Sequence, residues 1–130
     1  MKEHLLFHTP RFLSPSRTWA EAKRICEEDY HAKLVEIDSE EENRVVNKEL
    51  KRNGYDHAWL GITDQNTEGK WLLESTGQPA AFKAWRIGEP NNSDRGYQED
   101  CCITSWGDNK WNDVQCVFWA PAFAVVCENV

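Results

Sequence analysis

Glu99-Asp100-Cys101-Cys102-Ile103-Thr104-Ser105-Trp106-Gly107-Asp108-Asn109-Lys110-Trp111-Asn112-Asp113-Val114-Gln115-Cys116 carries the densest pattern in this chain. It reads as two short strands, Cys101 to Trp106 and Lys110 to Val114. Both are edged by oxygen donors. Glu99 and Asp100 directly precede Cys101, and Asn112 and Asp113 follow Trp111. Downstream, Phe123 to Glu128 reads as a third late strand. Upstream, residues 86–100 are polar and irregular. There Glu89 and Asn91 flank Pro90, and Asn92 follows.

Further upstream, His57 to Ile62 reads as a strand, Thr63 to Gly69 as a polar loop and Lys70 to Leu73 as a strand. Ser75 to Pro79 is turn-rich. The first half has a different character. Leu5 to Leu13 reads as strand and loop, broken by Pro10, and Ser14-Pro15-Ser16 is a helix-start signal. Trp19, Ala22, Cys26 and Tyr30 recur at helical spacing, and this helix ends near His31. Leu34, Val35 and Ile37 form a short extended link. Ser39-x-x-Glu42 is a capping box, and Glu40 and Glu41 suit the first turn of a second helix. That helix presents Val46 and Leu50 on one face and stops at Gly54. A strand, two helices and then many short strands make an α+β fold with function in the loops.

The chain has 130 residues, enough for a single domain over 1–130 with one core. Its formal charge is −7. That balance excludes nucleic acid, since nothing would neutralise phosphates along a groove, and argues against an anionic membrane surface. Residues 89–113 alone carry Glu89, Asp94, Glu99, Asp100, Asp108 and Asp113 against Arg95 and Lys110. No run approaches the roughly 18 apolar residues of a membrane span, so no membrane insertion is expected.

Five cysteines, Cys26, Cys101, Cys102, Cys116 and Cys127, show no CxxC spacing, which argues against a zinc knuckle. Two bridges with one cysteine left over suit an oxidising compartment; buried reduced thiols are the alternative. Spacing alone selects no pairing. Leu5-Leu6-Phe7 is too short for the apolar part of a secretory leader. The expectation is a mature secreted or extracellular domain, with Met1 an added start.

Carboxylates and carboxamides dominate the loops of the second half. Asp64 and Glu68 form one group, and Glu89, Asn91 and Asn92 a second. Glu99 with Asp100, and Asn112 with Asp113, complete the set. Oxygen ligands without His or Cys suit a hard cation, best Ca²⁺, which takes about six to eight of them. Taken singly, each group also reads as solvated loop. His4, His8, His31 and His57 form no triad or metal spacing, and no HExxH, GxSxG or phosphate loop occurs. Glu89 and Glu99 could pair as in a glycosidase, but a general acid needs a raised pKa and nearby Ca²⁺ would lower both. No enzyme is expected.

Trp59-Leu60-Gly61-Ile62, Glu89-Pro90-Asn91, Glu99-Asp100-Cys101, Trp111-Asn112-Asp113-x-x-Cys116 and Val126-Cys127-Glu128 together resemble the C-type lectin domain, from about Trp19 to Glu128. The resemblance implies the C-type lectin fold, in its short form, with bridges Cys26–Cys127 and Cys101–Cys116. On loop entropy these are worth about 4.7 and about 3 kcal/mol. Cys102 is then extra, either a buried thiol or an intermolecular bridge in a homo-oligomer. The resemblance also implies a principal Ca²⁺ site at Glu89, Asn91, Glu99, Asn112 and Asp113, the same residues touching the sugar, and a cis Glu89–Pro90 bond. Asp64, Glu68, Asn92 and Asp100 match an auxiliary Ca²⁺ site that shares Glu99.

The Glu-Pro-Asn order in that family goes with equatorial 3- and 4-hydroxyls, hence mannose, fucose, glucose or N-acetylglucosamine; a Gln-Pro-Asp order would imply galactose. The segment from Glu89 to Glu99 is longer than in the mannose-type pattern, which places Arg95 and Tyr97 near a second sugar ring or in water. Asn91-Asn92-Ser93 is also a glycosylation sequon, but a glycan on Asn91 would remove a ligand. The rival reading is a protein-binding member of the same fold (receptor, ice-binding or haemostasis type) without sugar activity. Trp59, Trp71, Trp85 and Trp111 are expected in the core, and Trp106 and Trp119 less firmly placed.

Overall fold

The Thr18 hydroxyl accepts from the Glu21 N–H at 3.4 Å and caps α1, Trp19–Arg24. A cap satisfies a donor the helix itself leaves orphaned. In the computed structural model, which describes residues 5–6, 18–90, 93–94, 97–118 and 123–128, the chain then widens into a π turn, Ile25–Asp29. Ser14-Pro15-Ser16, Asn91, Asn92, Arg95 and Trp119 lie outside the described residues. The helical segment therefore ends where expected, but in two geometries.

The second helix, α2, spans Glu40–Arg52. Ser39 Oγ accepts from the Glu42 N–H at 3.1 Å, while Glu42 Oε1 accepts from the Asp38 N–H at 2.8 Å. The reciprocal arm of the box thus reaches one residue further back than the Ser39 N–H of the usual motif. Gly54, with φ +82°, ends the helix in the left-handed region that favours glycine.

Two sheets receive these helices. The smaller orders β1 (Leu5–Leu6), β10 (Cys127–Glu128) and β2 (Lys33–Leu34), all antiparallel. The larger runs β4 (Leu72–Leu73), β3 (His57–Thr63), β7 (Cys101–Ser105), β8 (Lys110–Val114), with β9 (Phe123–Ala124) parallel to the start of β3. A two-stranded hairpin, β5 (Ser93–Asp94) and β6 (Tyr97–Gln98), interrupts the segment expected to be irregular. Two expectations need correction. Phe123 to Glu128 is not one strand but two, in different sheets. A continuous apolar run cannot show where a strand changes partners. Lys70 to Leu73 shortens to Leu72–Leu73.

The two sheets meet at Gly61. Its N–H donates to Val35 O at 2.7 Å, and a Cβ there would sit 2.7 Å from Leu34 O and 2.9 Å from Glu36 Cγ. Only a residue without a side chain permits that approach. The β3–β7 register also shifts between Leu60 and Thr63. Such an irregularity re-aims the residues beyond it, here the loop that starts at Thr63 and Asp64.

Trp59 and Trp111 are fully buried, Trp19 and Trp71 nearly so, and Trp85 is half-buried against Trp71 and Trp111. Polar groups tie α2 to the sheet. Trp111 Nε1 donates to Asn43 Oδ1 at 3.0 Å, and Asn47 Nδ2 donates to Thr104 Oγ1 at 2.9 Å. Cys26–Cys127 and Cys101–Cys116 are both bridged, as the resemblance implies.

Candidate functional site

The loop after β3 and the segment before β7 form one unit. Thr63 Oγ1 donates to Asp100 O at 2.7 Å, and the Asp64 N–H donates to the same carbonyl at 3.2 Å. The Gly69 N–H donates to Asp64 Oδ2 at 2.9 Å, closing the loop behind that carboxylate; Gly69 has φ +84°. Asp64, Glu68 and Asp100 consequently bring carboxylate oxygens within 4.8 Å of one another. Asp64 is buried, Asp100 half-buried and Glu68 exposed.

Three carboxylates at that range repel unless a proton or a cation intervenes. Asp64 Oδ1 and Asp100 Oδ1 are buried with no hydrogen-bond donor among the described residues. Burial pushes the Asp100 carboxyl up to about 6, and the neighbouring Asp64 adds to this. Burial raises Asp64 as well, partly offset by the Gly69 N–H. Three hard oxygen donors facing one another, with Glu68 at the exposed side, fit a divalent cation that takes the place of a shared proton.

Glu99 and Asp113 lie toward the same end of the large sheet, and Asn112 sits at the middle of β8. Glu99 lies two residues before β7 and is 8% exposed; Asp113 is fully buried on β8. Asp113 stands opposite Cys102 and Asn112 opposite Ile103. As neighbours on a strand, Asn112 and Asp113 alternate between faces. Glu89 is half-buried, its N–H donates to Arg86 O at 2.8 Å, and the Glu89–Pro90 bond is cis. The loop carrying it is fixed to β8 because the Arg86 N–H donates to Trp111 O. Among the described residues, Glu89, Glu99 and Asp113 do not close into a trio like that of Asp64, Glu68 and Asp100.

Cys102 lies in the middle of the sheet, between β3 and β8, and is fully buried. An intermolecular bridge through it is not open to the folded chain, so the buried-thiol alternative holds. Burial and then the Asp113 charge push its thiol pKa well above the ordinary value. Two features escaped the sequence reading. His57 Nδ1 lies 2.7 Å from Ser105 Oγ, a pairing made by strand register across 48 residues. Thr63 and Gly69 organise the acidic loop; a glycine five residues after an aspartate was the available signal.

This fold, with its acidic loop at one end of the sheet, defines a class. A family model described as Lectin C-type domain matches residues 15–129, and the chain belongs to that family. A hepatic lectin of Gallus gallus is 39% identical over 109 residues, covering 82% of this chain and 49% of that protein. The low affinity immunoglobulin epsilon Fc receptor of Mus musculus is 33% identical over 115 residues, 88% of this chain and 32% of the receptor. The chain thus spans half or less of these curated relatives. The carbohydrate-recognition domain of the mouse scavenger receptor C-type lectin superimposes with TM-score 0.76 at 32% identity, over 90% of this chain and 85% of that one. The relatives' names are those of lectins and receptors rather than enzymes. No described helix is long and apolar enough to cross a membrane.

Proposed function

We propose that residues 1–130 form one carbohydrate-recognition domain that binds glycans through calcium, and that it is a short-form member of the Glu-Pro-Asn, mannose-type class. The observation that carries this reading is the Asp64–Glu68–Asp100 trio, with two buried carboxylate oxygens that lack donors among the described residues. These three residues, with Asn92 and Glu99, would hold the auxiliary ion. Glu89, Asn91, Glu99, Asn112 and Asp113 would hold the principal one. Calcium bound there supplies open coordination positions for two sugar hydroxyl oxygens.

The side chains do the rest. A hydroxyl both donates and accepts. The carboxylates of Glu89 and Glu99 would accept hydrogen bonds from the hydroxyls, and the amide N–H groups of Asn91 and Asn112 would donate to the hydroxyl oxygens. Alternation of the two types around the ion suits the equatorial 3- and 4-hydroxyls of mannose, fucose, glucose or N-acetylglucosamine. A site of this kind is open and wet, so affinity for one sugar is weak and avidity comes from several copies. Secretion or extracellular display accords with the two disulfides.

Chromatography tests this directly. The protein is expected to be retained on mannose-agarose with calcium and to elute with EDTA; retention in EDTA would remove calcium from the mechanism. A second reading, protein binding, is favoured by the Fc receptor among the relatives. It predicts no retention on any sugar matrix.

A further inference from the structure

The opposite end of the large sheet carries an open depression. His57 opens β3, Ser105 closes β7, and the two stand opposite each other in the register. Thr63 and Cys101 mark the other end of the same strand pair, about 13 Å away at strand rise. The depression is shallow and open to solvent, with a volume of about 390 Å³, and is lined by Asp56, His57, Arg86, Ser105, Trp106 and Asp108. Its size is at the small end of the range for small-ligand sites, about 300–1,000 Å³.

Its chemistry is specific. Trp106 keeps 36% of its surface exposed, unlike the core tryptophans. Its indole N–H is already spent on Asp56 Oδ1 at 3.3 Å, so what it offers is ring surface; Lys51 Nζ stands over the ring at 5.3 Å. Arg86 grips Asp108 through Nε at 3.1 Å and Nη2 at 3.5 Å, which leaves further guanidinium N–H donors. Burial holds His57 below its ordinary pKa despite Asp56, and Arg86 adds to this. A neutral imidazole presents a donor and an acceptor rather than a charge. Ser105 Oγ occupies one ring nitrogen.

Charge narrows the ligand. Asp56 and Asp108 oppose a phosphate or sulfate, Arg86 and Lys51 oppose a free cation, and the two signs balance. Donors and acceptors side by side with an exposed aromatic surface suit neighbouring hydroxyls on an uncharged ring with an apolar face. We propose that this depression binds a neutral saccharide without metal. It would give one domain two contacts for a branched or repeating glycan, which raises avidity without any oligomer. The calcium reading is not required for it.

The test uses metal-free protein in EDTA, titrated with methyl α-mannopyranoside, methyl β-galactopyranoside and N-acetylglucosamine, and followed by amide NMR. At least one sugar is expected to give saturable shifts at Asp56, His57 and residues 105–108, with dissociation in the millimolar range, about 1–10 mM. Trp106→Ala and Arg86→Ala should each weaken this about tenfold or more. Calcium-dependent retention of Trp106→Ala on mannose-agarose should stay as in the parent, so the two sites fail separately. No saturable shift with any of the three sugars would overturn the proposal. So would shifts that persist unchanged in both variants, or that centre on Asp64, Glu68, Glu89, Asp100 and Asp113 instead.

Discussion

Asp100 joins structure to chemistry at the residue scale. Burial, with Asp64 beside it, lifts the Asp100 carboxyl to about 6 when no cation is bound. A raised folded pKa means the native state holds more protons than the unfolded chain between the free-acid value and about 6. That contribution is complete below the free-acid value and is lost as pH rises through about 6. In EDTA the domain should therefore melt at a higher temperature at pH 5 than at pH 7 through this group, and Asp100→Asn should flatten the difference. With calcium the order should reverse, since protons compete for the same oxygens. Thermal melts at the two pH values, with and without calcium, check both signs. Unchanged order on adding calcium would count against the trio as a cation site. Cys102 gives a second residue-scale prediction. Its full burial predicts no maleimide labelling of the native protein, one thiol labelled on unfolding, and no reducible dimer. Labelling under native conditions would show that the sheet opens there.

At the scale of elements, α2 is held by amides as much as by Val46 and Leu50. Asn43 serves three groups at once: it accepts from Trp111 Nε1, donates to Asn109 O, and its backbone carbonyl accepts from Asn47 Nδ2. Asn43→Ala strands the Trp111 indole N–H in a dry core. The expected loss is about 1–3 kcal/mol by urea denaturation, with the fold retained. A loss below the lower figure would mean that the indole finds another acceptor. The sequence pattern displayed this helix clearly through Ser39, Glu42 and Gly54. It did not display the Asn43–Asn47 face, because polar residues at helical spacing read as solvent-facing until their partners, 57 to 68 residues away, are known. The same applies to β9 and β10, whose different sheets are set by β3 and β2 rather than by Phe123 to Glu128 themselves. Cys26–Cys127 and Cys101–Cys116 were legible from family motifs and not from spacing.

For the whole molecule, the two ends of the large sheet divide the work. One end gathers Asp64, Glu68 and Asp100, with Glu99 and Asp113 beside them, and much of the chain's −7 charge is concentrated around it. The other closes on Trp106, Arg86 and Asp108, a mixed-charge depression. The acidic end was legible because its carboxylates and carboxamides cluster in sequence. The other end was not: its residues come from three separate segments, each unremarkable alone. Calcium-dependent recognition of mannose-type glycans is the central claim, and a glycan array probed with and without calcium tests it most directly. The predicted result is signal on glycans ending in mannose, fucose, glucose or N-acetylglucosamine, reduced to a faint residue by EDTA. Strong signal that survives EDTA, or calcium-dependent signal confined to galactose-terminated glycans, would contradict it.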